Sequence, residues 1–504
     1  MLDTYIKKRS DKLMLLSLAM ILIANAVFLS YHAFRCFNLF DMGAFLDASW
    51  RVFKGQLPYR DFFYYNGPLH LYMNAFFFHL FGFGKTAILA HLVVVHSIII
   101  TLVFFILAKR VPHYITLAVT LLAVPSFYWT IAHPWHDQSA HLWGIIGIAL
   151  LAWNLPFKNT RTAFWISFCC GILTPLSYIT KSNLGAGYGI MFFAVLLSLA
   201  SRKQALLGYL SGGLTGVFLS LLILRLPVEF VQQTIIDNGS FIETRLSSIL
   251  SLSNTFSNYY WLPLSIVLLN ALISSKRTGG LLALFIGMSL FCIYSVSTGG
   301  VIIPANIFLW GIQMALGFLV LFNLIQQTNG WQKKLQHFSL WIFIGLTILL
   351  TLIAAQRGLA LKVWTYKRPN PFGTYALKSK PLEGWLFHPA EGKALDDMTF
   401  FIQKMIPKEQ SLLNLTDMYI IYALTGRDSF RNISFQFLEN ILPSPGQQTD
   451  MVHEHILHNP PDWILTHLGS YNEDIRILGL QEFVQTQYAP VMHSGFYILL
   501  KKRP

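Results

Sequence analysis

Phe40-Asp41-Met42-Gly43-Ala44-Phe45-Leu46-Asp47, with Gln56-Leu57-Pro58-Tyr59-Arg60-Asp61-Phe62 and Asn66-Gly67-Pro68-Leu69 close behind, follows the first long apolar run of the sequence directly. Its carboxylates are therefore expected just outside a bilayer, where water meets lipid headgroups. A carboxylate there is placed to work on a lipid-carried substrate. Met42, Phe45, Leu46, Ser49, Val52 and Phe53 recur at helical spacing and predict a helix with one apolar face. Pro68 suits the first turn of a second helix.

Composition sets the class. The chain has 504 residues, of which 54% are hydrophobic and only 12% charged, far more apolar surface than a soluble core of this size needs. The net charge of +14 comes as short Lys and Arg pairs between apolar runs, the pattern of loops beside anionic lipid and not of a nucleic-acid surface. Three of the four cysteines (Cys169, Cys170 and Cys292, but not Cys36) lie within apolar runs, and no disulfide framework or zinc spacing can be made from the set. The N-terminal run is longer than a signal-peptide core and is read as an uncleaved first span.

A span needs about 20 apolar residues. Runs near 13–33, 86–108, 114–131, 138–155, 162–180, 184–200, 204–226, 258–274, 280–298, 302–325 and 337–356 meet or approach that length, which predicts about eleven transmembrane helices. The segment from Pro68 to Phe83 is apolar but short and carries His70, Asn74 and His79. Loop charge decides its status: if it does not cross, Lys109/Arg110, Lys158/Arg161, Arg202/Lys203, Lys276/Arg277 and Lys333/Lys334 all share the side of Lys7-Lys8-Arg9. The first external loop, 34–85, then holds two interfacial helices, and the C-terminus lies outside the cytoplasm. A second, polar external loop at 227–257 carries Asp237, Glu243 and Arg245 and has the length of a lid. Residues 1–356 thus form a membrane domain. Residues 357–504, richer in Pro, Asn and charge, read as a soluble extracytoplasmic α/β domain, with a helix over Asp396 to Met405 and strands near Ser411 to Leu415, Asp462 to Thr466 and Gly495 to Lys501.

Each candidate for chemistry has a plain structural reading beside it. Asp41 is a helix N-cap, a catalytic carboxylate, or both. Asp137, in Ala132-His133-Pro134-Trp135-His136-Asp137-Gln138-Ser139, is a cap or an acid lining a wet cavity. Asp137 and His136, with His133 near, are also candidate ligands for a divalent cation such as Mg, Mn or Zn, although the spacing is a weak metal signal. Arg60 and Asp61 are supporting site residues or a local ion pair. Lys181 is a lone cation on the outer side: it snorkels to headgroups, or it anchors a phosphate in room left by Asn183 and Gly185, with Arg245 a second candidate for that task.

The Asp-x-Gly of Asp41 and Gly43, the run Gly55-Gln56-Leu57-Pro58-Tyr59-Arg60-Asp61-Phe62 and the Gly67-Pro68-Leu69 turn resemble the first external loop of the GT-C superfamily of membrane glycosyltransferases, especially bacterial relatives of the lipid A aminoarabinose transferase and the protein O-mannosyltransferases. The resemblance covers about residues 1–356. It departs at Asn66-Gly67-Pro68, where many relatives have a charged residue before paired prolines. It implies a GT-C-like polytopic helical fold in a bacterial inner membrane, Asp41 as the catalytic acidic residue, Asp137 as the second acidic residue and a polyprenyl-phosphate-linked sugar as donor. The expected activity is inverting transfer of a hexosyl or pentosyl unit to an envelope lipid, glycan or protein. A transporter or flippase without covalent chemistry and an envelope scaffold are the other two classes considered.

Overall fold

The computed structural model of the protein describes residues 2–35, 39, 41–64, 66–108, 110–125, 127–128, 133–224, 226, 228–231, 234, 261–273, 279–298, 309–360, 374–430, 445–468, 475–476 and 478–504. Its first part is helical: α1 (Leu2–His32), α2 (Asp41–Phe53), α3 (Leu69–Phe81), α4 (Lys85–Ala108), α5 (His113–Ala123), α6 (His136–Asn154), α7 (Thr160–Tyr178), α8 (Ser182–Leu197), α9 (Arg202–Leu224), α10 (Val228–Val231), α11 (Trp261–Ile273), α12 (Gly280–Thr298), α13 (Trp310–Gln327) and α14 (Gly330–Ala360). Among the described residues four helices are long and apolar enough to cross a membrane, within α1, α4, α9 and α13, and α8, α11 and α12 contribute shorter apolar stretches. Large apolar side chains stand on the outside: Ile190 is 74% exposed, Leu214 75% and Leu272 84%, which only a lipid environment accommodates over so wide an area. The architecture is that of a polytopic helical membrane protein.

Glycines set the closest contacts. α7 and α9 touch backbone to backbone: a Cβ on Gly208 would lie 2.2 Å from the Phe164 carbonyl oxygen and one on Gly212 2.0 Å from that of Phe168. Such small-residue stripes replace the hydrophobic effect as the association force where the surroundings are as apolar as the helix.

Beyond the helices the chain forms β1 (Tyr375–Ala376), β2 (Leu386–Phe387), α15 (Pro389–Met405), β3 (Leu412–Asn414), α16 (Ile421–Thr425), α17 (Pro445–His458), β4 (Trp463–His467), α18 (Gln481–Gln487), β5 (Tyr488–Ser494) and β6 (Tyr497–Lys502). The expected strands are found with small shifts, α15 begins earlier than Asp396, and β1, β2 and β5 are additions. β3, β4, β6 and β5 form one sheet in that order, with β3 and β4 parallel and the other pairs antiparallel. One apolar core runs from Leu29 of α1 to Leu499 of β6.

α2 departs from its sequence reading. Met42 to Arg51 are all buried, including Asp47, Ser49 and Arg51, so the helix has no face open to water. The segment 417–430 covers the polar side. Trp50 donates from Nε1 to the Arg427 carbonyl at 2.9 Å, Gln56 to that of Ser429 at 3.1 Å, and Arg51 from Nη1 to that of Phe430 at 2.8 Å. Asp47 holds Arg51 Nε at 2.8 Å and accepts from Ser429 Oγ at 2.9 Å. Burial pushes the Asp47 carboxyl above its ordinary value, against the pull of Arg51 and Ser429.

The end of the first loop is fixed by Gly67. Leu69 N donates to the Ile179 carbonyl at 3.1 Å, and a Cβ on Gly67 would lie 2.0 Å from that same oxygen. Gly67→Ala is expected to cost about 3 kcal/mol, the upper end for overpacking, because the obstacle is backbone. Gly345→Ala, in α14 where an added Cβ meets nothing within 4 Å, is expected to gain about 0.5–1 kcal/mol. Thermal unfolding of the two variants in detergent checks the difference in sign.

Candidate active site

α6 begins with His136 and Asp137 and packs against α7 and α8: Ser177 Oγ donates to the Ala140 carbonyl at 3.0 Å, and His141 Nδ1 lies 3.0 Å from the Tyr188 hydroxyl. Lys181 stands at the corner between α7 and α8, as the residue capping α8. This corner is tight because Gly185 has no side chain: a Cβ there would lie 2.2 Å from the Tyr178 backbone. The space under Gly185 is thus filled by the preceding turn. The expectation that Gly185 leaves room for a phosphate is corrected; its role is to close the corner that aims Lys181.

Lys181 does not snorkel. It is 9% exposed, and its Nζ is bonded to Asp137 Oδ1. The same oxygen lies 2.9 Å from His136 Nε2. Trp135 Nε1 also points at His136 Nε2, at 3.3 Å. An indole can only donate, and donation would need a bare Nε2 facing a carboxylate at close range, so the shorter, charge-assisted contact decides that Nε2 carries the proton. A carboxylate that meets an ammonium and an imidazole N–H on one oxygen is held ionised. His133 lies against Trp135 in a tilted ring contact with centroids 4.9 Å apart, and burial pushes its imidazole down to about 3, with His136 adding to the shift.

The first loop closes over this corner. Phe45 of α2 lies 4.7 Å, centroid to centroid, from His136. Asp41 starts α2 one turn before Phe45; its side chain lies outside the described residues. Arg245, with Asp237 and Glu243, also lies outside them. Arg60 Nη2 pairs with Asp61 Oδ2 at 2.8 Å, and the same oxygen accepts from Leu57 N, so the two residues close a local turn. Among the described residues no group of three or more His, Cys, Asp or Glu side chains is arranged to hold a metal ion, and the proposed pair Asp137 and His136 is engaged with itself and Lys181.

Sequence reasoning missed a buried polar chain beside these residues. Asn74 Nδ2 donates to Ser49 Oγ at 3.1 Å and lies 3.3 Å from His70 Nε2, and His70 Nδ1 lies 3.3 Å from Ser139 Oγ. Burial pushes the His70 imidazole well down, aided by His136, so it is neutral. His70 and Asn74 stood out in the sequence as polar interruptions of an apolar segment; one turn apart on a helix, they were readable as one face.

No protein-family model matches the sequence, and no curated protein matches it. Solved structures of similar shape include ArnT from Cupriavidus metallidurans bound to undecaprenyl phosphate, at 14% identity over 96% of this chain and 97% of that one, with a TM-score of 0.54. The chain has a GT-C-like fold. Two further matches are the same ArnT in its apo state, at 13% identity, 96% and 97% coverage and a TM-score of 0.48, and the Archaeoglobus fulgidus oligosaccharyltransferase in complex with zinc and sulfate, at 11%, 95% and 72%, and 0.45. In this GT-C-like fold the Lys181 and Asp137 pair is a tertiary contact that charge burial makes mutually dependent. Lys181→Met and Asp137→Leu are each expected to destabilise by about 3 kcal/mol, because each leaves a buried charge, and the double variant by clearly less than the sum. Unfolding of the three variants in detergent measures the coupling.

Proposed function

We propose that the protein is an inverting glycosyltransferase that moves a sugar from a polyprenyl-phosphate carrier to a hydroxyl of an envelope acceptor on the non-cytoplasmic face of a bacterial inner membrane. The observation that carries this reading is the corner where a buried, carboxylate-held ammonium stands beside His136, on which Phe45 packs from α2, the helix that starts with Asp41. The division into a membrane domain, 1–356, with about eleven spans and an extracytoplasmic domain, 357–504, belongs to the same proposal.

The chemistry needs one base and one positive charge. As the acceptor oxygen bonds to the anomeric carbon, the bond from that carbon to the phosphate oxygen breaks, and Asp41 takes the hydroxyl proton. Phosphate leaves as an anion, so its departing oxygen is met by the Lys181 ammonium and requires no general acid, unlike the two facing carboxyl groups of glycoside hydrolysis. Asp137 positions the ammonium and keeps it charged. Arg245 is assigned to the same phosphate from the polar loop. A divalent cation would supply a second positive charge there, but the described residues do not make its ligand set.

No observation favours a transporter, whose sites are commonly built from paired, broken helices near the midplane. Asp41→Asn is expected to lower sugar release from a labelled polyprenyl-phosphate donor by about 100-fold or more. The assay uses the full chain in detergent with expression matched to wild type. Transfer at the wild-type rate in Asp41→Asn, or a donor left intact by the unaltered protein, removes the reading.

A further inference from the structure

The C-terminal elements carry a polar cluster that this chemistry does not use. β3 and β4 run parallel, with Leu412 opposite Trp463 and Asn414 opposite Leu465, so their carboxyl ends share one edge of the sheet. β6 is antiparallel to β4 and begins at that edge, with Tyr497 opposite His467. Asp417 follows β3 there, in a turn that is itself built: Thr416 N and Oγ donate to Asn414 Oδ1, Met418 N donates to Thr416 Oγ, and Asn414 Nδ2 donates to the Met418 carbonyl.

Three side chains meet at the edge. The Tyr497 hydroxyl donates to Asp417 Oδ1 at 2.7 Å, His467 Nε2 lies 3.5 Å from that oxygen, and the two rings have centroids 5.2 Å apart. Both contacts fall on Oδ1. Oδ2 has no partner among the described residues, and the side chains of Asp417 and His467 remain 23% and 19% exposed, so a solute can reach them. The carboxyl edge of parallel strands is where open α/β sheets collect ligands.

The position of the edge links it to the site. A Cβ on Gly43 would lie 3.7 Å from Ile420 Cγ2 and 3.9 Å from the Asp417 carbonyl oxygen, and Gly43 is two residues from Asp41. The cluster therefore borders the start of α2. Its free carboxylate oxygen repels phosphate and accepts hydrogen bonds from hydroxyl groups, while the phenol and imidazole flank it with ring surface and polar tips.

We propose that Asp417, His467 and Tyr497 bind a sugar unit of the acceptor through its hydroxyl groups and present it at the start of α2. The acceptor role rests on the transfer reading above; the binding site does not. The test is saturation-transfer NMR on the full chain in detergent, without donor, using a panel of methyl hexopyranosides as probes and ethanolamine as a cationic comparison. Wild type is expected to saturate the glycosides, and Asp417→Asn and His467→Gln to weaken their binding by about tenfold, the effect of one charge-assisted hydrogen bond, with unchanged melting temperature. No glycoside signal in wild type, equal signals in both variants, or a signal from ethanolamine alone overturns the proposal. Because no donor is present, a protein that binds glycosides yet never releases sugar from its donor would refute the transfer reading and leave this site standing.

Discussion

An ammonium group taken out of water has to find an anion, since leaving it alone in a low-dielectric interior costs several kcal/mol. Lys181 finds Asp137, and the surrounding structure is arranged so that it can. Gly185 lets α8 start hard against Tyr178, which turns the lysine inward and not toward headgroups. Gly67 then seats the first loop on the outer side of the same turn through the Ile179 carbonyl. Two missing side chains and one buried charge pair thus decide where the loop bearing Asp41 can rest.

The loop is held from its other side by the C-terminal elements. α2 has Asp47 and Arg51 one turn apart, and in isolation such a helix would turn them to water. Here the carbonyls of Arg427, Ser429 and Phe430 and the hydroxyl of Ser429 satisfy Trp50, Gln56, Arg51 and Asp47 in turn. A buried ion pair contributes little net stability, but its directional partners permit one docking register only. The C-terminal segment therefore works as the outer wall of the first loop, which places the edge holding Asp417 beside Gly43.

Much of this was legible in the sequence, and what was not has physical causes. Apolar run length located the long helices, and three- and four-residue spacing with Pro68 located α2 and α3, because both signals are local. The burial of α2 on all sides was hidden: the segment that covers it lies at 417–430, and Met418, Tyr419 and Ile420 carry no mark of their target. The partner of Lys181 was hidden for the same reason. Asp137 and Lys181 were both picked out by type, yet nothing in the spacing pairs them. Gly185 was misread because a glycine that admits a ligand and a glycine that admits a neighbouring backbone look alike in one dimension. β5 was not expected, and Pro490 within it is a residue that argues against a strand. It is the edge strand of the sheet, with an irregular register between Pro490 and Met492, where a missing N–H does no harm.

The remaining question of register falls to polar groups, because apolar side chains slide against one another with little preference where the surroundings are equally apolar. The chain from Ser49 through Asn74 and His70 to Ser139 crosses α2, α3 and α6. Its polarity is determined: Asn74 Nδ2 can only donate, so His70 Nε2 accepts, and the neutral imidazole then carries its proton on Nδ1 and donates it to Ser139 Oγ. Ser49 in turn donates to the Phe45 carbonyl at 2.7 Å, one turn after Asp41, and Ser139 is two residues after Asp137. The chain therefore measures the offset between the helix that begins with one acid and the helix that carries the other. A proton added at Nε2 would break it in the middle, so burial that keeps His70 neutral also keeps the two acids in step.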